Sequence, residues 1–98
     1  MDGNIQFENM RHERPIADFV QSAIETITDR APSDSFITAK VSREKRDLYR
    51  FTIQVASSEL TFDLNEEAHS PFMAIEKAMI AALETIAKWS DHRTEGDL

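Results

Sequence analysis

The sequence predicts an α+β fold in two layers, of order β-α-β-β-β-α. A four-stranded, mainly antiparallel sheet carries two helices on one face. Three observations lead there. Residues 70–89 read SPFMAIEKAMIAALETIAKW, in which Phe72, Ile75, Met79, Leu83 and Ile86 recur at helical spacing, with Ala78 and Ala82 in the same stripe. Residues 15–27 carry a second helical stripe. Between the two helices lie three short apolar stretches, joined by connections too brief for anything but a meander.

Taken in order, residues 1–4 form a polar tail. Ile5 and Phe7 alternate with Gln6 and Glu8, the period of a half-buried strand. The charged run Arg11-His12-Glu13-Arg14 leads to Pro15, which opens a helix with Ile16, Phe19, Val20, Ala23, Ile24 and Ile27 on one stripe. Ala31-Pro32 and Ser33-Asp34-Ser35 end that helix near Asp29 or Arg30, since a residue before proline avoids the helical region. Residues 36–41 are β-branched and aromatic and form the second strand. A charged loop is expected over 42–47.

Residues 48–55 are the clearest strand, with Tyr49, Phe51, Ile53 and Val55 on one side and Leu48, Arg50, Thr52 and Gln54 on the other. After a tight connection at 56–59, Leu60, Phe62 and Leu64 mark the fourth strand, and 65–69 are expected as a polar loop. Ser70 caps the last helix and Pro71 suits its first position, where the amide has no partner. About 18 residues make a helix roughly 27 Å long, which needs an apolar surface of matching length. Residues 90–98 are expected to fray. The chain is therefore expected to be one domain over 1–98, with tails at about 1–4 and 91–98.

Composition excludes several function classes. The chain has 98 residues, 41% apolar and 30% charged, and a net charge of −7, so its surface as a whole repels nucleic acid and anionic membrane. It has no cysteine, hence neither disulfides nor thiolate chemistry. The start lacks signal-peptide character, and the longest apolar run, 79–83, is too short to span a bilayer. These features point to the cytoplasm and to no membrane partner.

The two glycines, Gly3 and Gly96, lie in the expected tails, so a glycine loop cradling phosphates is excluded. His12, His69 and His92 fall in separate connections or ends, without the spacing of metal ligands, and are expected as surface residues. Glu66-Glu67 and Ser57-Ser58 are most simply loop material. No base, nucleophile and orienter can be named together, so neither catalysis nor a cofactor is expected.

The uneven feature is charge. Lys40, Arg43, Lys45, Arg46 and Arg50 are five of the eleven Lys and Arg residues and fall within eleven positions. With Glu44 and Asp47 that window carries +3, and the rest of the chain −10. Such a cluster at strand ends and a loop grips phosphates. The alternative is a solvated hairpin tip with internal ion pairs. Met73 and Ile80 lie seven apart on a second side of the last helix, with Lys77 between. They either pack on the first helix or form an exposed strip for a protein partner or a second copy.

The element order, the helix at 15–27, Lys40-Val41 closing the second strand, and the run Ser70-Pro71-Phe72-Met73-Ala74-Ile75-Glu76 together resemble the ribosome hibernation promoting factors. That family is also labelled ribosome-associated inhibitors or sigma modulation proteins. The likeness covers about residues 4–93. The run at 70–76 is similar to the family's opening of the final helix: aspartate, hydrophobic, tyrosine, small, alanine, isoleucine, aspartate. Lys88-Trp89 matches a basic–aromatic step near that helix's end.

The resemblance implies a non-enzymatic factor of the short, single-domain form. Such a factor sits in the mRNA and tRNA channel of the small ribosomal subunit under stress or in stationary phase and regulates translation there by hibernation. It also implies rRNA contacts from basic residues, for which Lys40 and Lys88 fit the family pattern, Arg43, Lys45 and Arg46 align loosely, and Arg50 and Lys77 are further candidates. Ala81, Glu84 and Ser90 stand where the family is basic. The alternative is a diverged, acidic relative that binds a protein, or itself, through Met73 and Ile80.

Overall fold

A computed structural model describes the backbone of residues 4–96 and the side chains of residues 5–91. Its six elements are β1 (Asn4–Glu8), α1 (Arg14–Arg30), β2 (Phe36–Lys45), β3 (Leu48–Ala56), β4 (Thr61–Ala68) and α2 (Pro71–Gly96). The order is the one expected, and the sheet runs β1-β2-β3-β4. β2–β3 and β3–β4 pair antiparallel. β1 pairs parallel with β2, from Asn4 opposite Thr38 to Glu8 opposite Ser42. A parallel pair needs a crossover, which α1 supplies.

Asn9 has φ 59°, a left-handed conformation that asparagine tolerates better than most residues, and it turns the chain out of β1. α1 begins at Arg14 with Pro15 in its first turn. It stops at Arg30 because Ala31, ahead of Pro32, is extended at ψ 165°. At the start of α2, Ser70 Oγ accepts the Phe72 amide at 3.2 Å. That serine is the cap expected from the sequence.

The core is one layer between sheet and helices. Ile37, Ala39, Val41, Phe51, Ile53 and Val55 from the sheet meet Ile16, Val20, Ala23, Ile24 and Ile27 of α1 and Ala74, Ile75, Ala78, Ala82 and Ile86 of α2. All lie in a single cluster, so both helices cover the same face of the sheet. The small residues Ala74, Ala78 and Ala82 let the α2 backbone approach the strands closely.

Four boundaries differ from the sequence reading. The expected loop at 42–47 is mostly strand, because Ser42 pairs with Arg50 and Arg43 with Tyr49, and a register shift between Arg43 and Lys45 leads into the turn. The expected loop at 65–69 is strand through Ala68, because Asn65, Glu66 and Glu67 lie opposite Thr52, Phe51 and Arg50. In both cases polar side chains find cross-strand partners on a water-facing surface, which composition alone does not reveal. Leu60 belongs to the β3–β4 turn, where Ser57 N–H donates to its carbonyl at 3.0 Å. At the other end of the chain, α2 runs on through the stretch expected to fray, to Gly96.

The aromatics also sort differently from expectation. Phe51 is fully buried, and Phe7 and Phe62 are half-buried against the core. Phe19 and Phe72, expected on the buried stripes of their helices, are exposed, as is Phe36. Trp89 packs against the core near the far end of α2.

Candidate nucleic-acid interface

Period-two alternation sends the polar residues of each strand to the face opposite the helices. The registers align them in rows across the sheet. One row is Gln6, Lys40, Thr52 and Asn65, and the next is Glu8, Ser42, Arg50 and Glu67. A third holds Thr38, Gln54 and Asp63. Hydroxyl–amide contacts stitch this face: Thr38 Oγ1 donates to Gln54 Oε1 at 3.2 Å, and Thr52 Oγ1 to Asn65 Oδ1 at 2.6 Å. An open depression of about 330 Å³ lies over it, lined by Gln6, Thr38, Ala39, Lys40, Thr52 and Gln54.

Two of the predicted cations sit on this face, each against a carboxylate. Arg50 donates through Nε to Glu67 Oε2 at 3.1 Å and through Nη2 to the same oxygen, and its Nη1 lies 4.0 Å from Glu44 Oε1. The Glu67 hydrogen bond, then the Glu44 and Glu67 charges, hold its already high pKa higher still. Ser42 Oγ donates to Glu44 and keeps that carboxylate in place. Lys40 Nζ is 3.5 Å from Glu8 Oε1. All these groups are partly solvated, so each pair contributes little to stability. A phosphate approaching the open face would meet cations already shared.

Arg43, Lys45 and Arg46 stand together at the β2–β3 tip, all exposed. Arg43 Nη2 donates to the Arg46 carbonyl at 3.0 Å, which holds the turn closed. Among the described residues, no carboxylate pairs with these three. Each strand's register runs β1, β2 and β4 toward this end, and both helices start from it. The partial positive charge of two helix N-termini therefore faces the same way as the tip.

Lys77 and Lys88 lie in the other layer. Lys77 is in the second turn of α2 and reaches back to β4. Its Nζ donates to the Glu67 carbonyl at 2.8 Å and lies 3.9 Å from Glu66 Oε1. Lys88 is exposed, about 16 Å farther along the helix at ~1.5 Å per residue. The structure thus brings Arg43, Lys45 and Arg46 together, with Arg50 nearby on the open face. It sets Lys77 and Lys88 on the opposite layer and at different ends of α2.

Met73 and Ile80 are 55% and 50% exposed. Packing of the two against α1 is therefore not their role. The sequence reading did not include Phe19 and Phe72 with them. Those rings meet edge-on at 5.4 Å between centroids and remain over a third exposed. The available signal was position, since Phe72 adjoins Met73 and lies at the margin of the buried stripe.

The histidines have structural surroundings. His12 packs against Phe7 with the rings tilted and their centroids 4.6 Å apart. His69 Nδ1 lies 2.7 Å from the Asp47 carbonyl and ties the α2 entrance to the β2–β3 hairpin. The His92 side chain lies outside the described residues. Among the described residues, no three His, Asp or Glu side chains form a metal-holding group. No described helix is long and apolar enough to cross a membrane.

These features define a small α+β domain with a polar open sheet face, a cationic hairpin tip and a mixed apolar helix layer. No protein-family model and no curated protein sequence matches the chain. Solved structures do. The N-terminal domain of Protein Y from Thermus thermophilus superposes with a TM-score of 0.74 at 20% identity, over 91% of this chain and 99% of that one. A ribosomal subunit interface protein from Coxiella burnetii superposes with a TM-score of 0.79 at 10% identity, over 93% and 99%. At these identities the likeness establishes the fold, and it is the fold the sequence resemblance implied.

Proposed function

We propose that this protein is a ribosome-associated, non-enzymatic factor that binds the small subunit through rRNA phosphates and holds ribosomes inactive in the cytoplasm. The observation that carries the reading is the exposed trio Arg43, Lys45 and Arg46 at one end of a fold shared with a ribosomal subunit interface protein. Arginine forks and a lysine on a turn grip phosphate oxygens without needing a particular base sequence. Arg50 and Lys40 extend the contact along the open face once phosphate competes with Glu67 and Glu8. Lys77, engaged by Glu66 and the Glu67 carbonyl, and Lys88, at the far end of α2, stand apart from this contact. The acidic remainder keeps the contact small, so affinity rests on few phosphates and falls with salt.

Cosedimentation of the full chain with purified small subunits, at low and at high salt, tests this. Association at low salt and its loss at high salt are expected. Reversing charge at Arg43, Lys45 and Arg46 together should abolish binding at low salt and leave the far-UV spectrum unchanged. If the folded wild-type chain stays in the supernatant even at low salt, the reading fails.

A further inference from the structure

The helix layer carries a surface that rRNA binding does not use. Met73 and Ile80 are seven residues apart on α2, two turns or about 10.5 Å, and point the same way. Phe72 flanks them and leans on Phe19 of α1. Ala87, one further heptad along, is exposed and small, so a partner backbone can come close there. The carboxylates Glu76 and Glu84 border the strip and are both exposed. Of the two lysines beside the strip, Lys77 is turned away to Glu66 and the Glu67 carbonyl, and Lys88, one turn beyond Glu84, makes no ion pair with it among the described residues.

We propose that the face of α2 formed by Phe72, Met73 and Ile80 docks a basic amphipathic helix of another protein, with Glu76 and Glu84 pairing its flanking lysines or arginines. The occupant is fixed by charge and shape. Apolar side chains at positions 73, 80 and 87 match the i, i+7 anchors of a partner helix. The carboxylate border repels phosphate, which excludes nucleic acid on this face. It also disfavours a second copy: an antiparallel pairing centred on Ile80 sets each Glu76 against the other copy's Glu84. The proposal does not depend on ribosome binding, which uses the opposite face and the hairpin tip.

The test uses the full chain and a dye-labelled synthetic helix of about 18 residues, with leucines at i, i+3, i+4 and i+7 and lysines on both flanks. A control peptide carries glutamate for every lysine. The lysine peptide is expected to bind by fluorescence anisotropy, and the glutamate peptide is not. Met73→Ser and Ile80→Ser should each weaken binding about tenfold. Both side chains are half exposed, so the melting temperature should hold. Glu76→Lys with Glu84→Lys should reverse the preference toward the glutamate peptide.

In ¹⁵N spectra the lysine peptide should shift amides between 72 and 87 and leave Asp63 and Glu67 still. Four results would each overturn the proposal. They are equal affinity for both peptides, shifts spread over the acidic sheet face, no binding, and a dimeric mass that reverts to monomer in Ile80→Ser.

Discussion

Phe51 has its side chain fully buried between the sheet and the helices, opposite Val41 and Glu66 on the neighbouring strands. Phe51→Ala leaves a cavity the surrounding strands cannot close, and should cost about 3–5 kcal/mol in urea unfolding. At the surface a different residue sets a pH dependence. Asp34 Oδ2 accepts the Ser58 amide at 3.0 Å and pins the loop after α1 to the β3–β4 turn. That bond, then the Ser58 side chain, holds the Asp34 pKa below its ordinary 3.8. A depressed acid contributes stability above its unfolded pKa and loses it as pH falls through the folded value. The unfolding midpoints of wild type and Asp34→Ala should therefore differ at about neutral pH and converge well below pH ~3.8. A gap that stays constant down to that range would assign the effect to packing.

At the scale of elements, α2 decides how the layers meet. Its buried side is Ala74, Ile75, Ala78, Ala82 and Ile86, a stripe narrower than the sequence pattern suggests. Phe72 falls outside it, in the first turn at the margin of the stripe, where its ring meets Phe19 of α1. Ser70→Ala removes the side-chain acceptor for the Phe72 amide and should cost ~1 kcal/mol. For a domain of this size that lowers the melting temperature by about 4–8 °C, measurable by circular dichroism. The β2–β3 hairpin is the other decisive element. Its strands reach to Lys45 and from Leu48, so Arg43 and Lys45 project from a hydrogen-bonded ladder and Arg46 from the two-residue turn that closes it.

At the scale of the molecule, charge is divided by place. The cationic tip and an overall −7 belong to one small body, so long-range attraction to RNA is weak and the proposed contact depends on orientation. The slope of log affinity against log salt should be shallow, near that of about three phosphates. It should flatten further as each tip cation is replaced by alanine. A steep slope, unaffected by Arg43→Ala, Lys45→Ala and Arg46→Ala, would place the contact elsewhere. The apolar strip on α2 works in the other layer and ought to be insensitive to those three substitutions.

Much of this was legible in the sequence. Strong periodicity determined the element order, the face of each core strand and the capped start of α2, because burial of one face imposes a repeat of 2 or 3.6 residues. Charge density marked the tip, since residues close in the chain stay close in a hairpin. Tertiary structure alone decided what distant residues do to one another. It lengthened β2 and β4 through polar cross-strand pairs, set Glu67 against Arg50 and Glu8 against Lys40, and separated Lys77 and Lys88 from the other cations. It also exposed Phe19 and Phe72 beside Met73 and Ile80. Local sequence records which side of an element is apolar. How far the neighbouring element covers that side depends on register and on layer spacing, which are properties of the assembled fold.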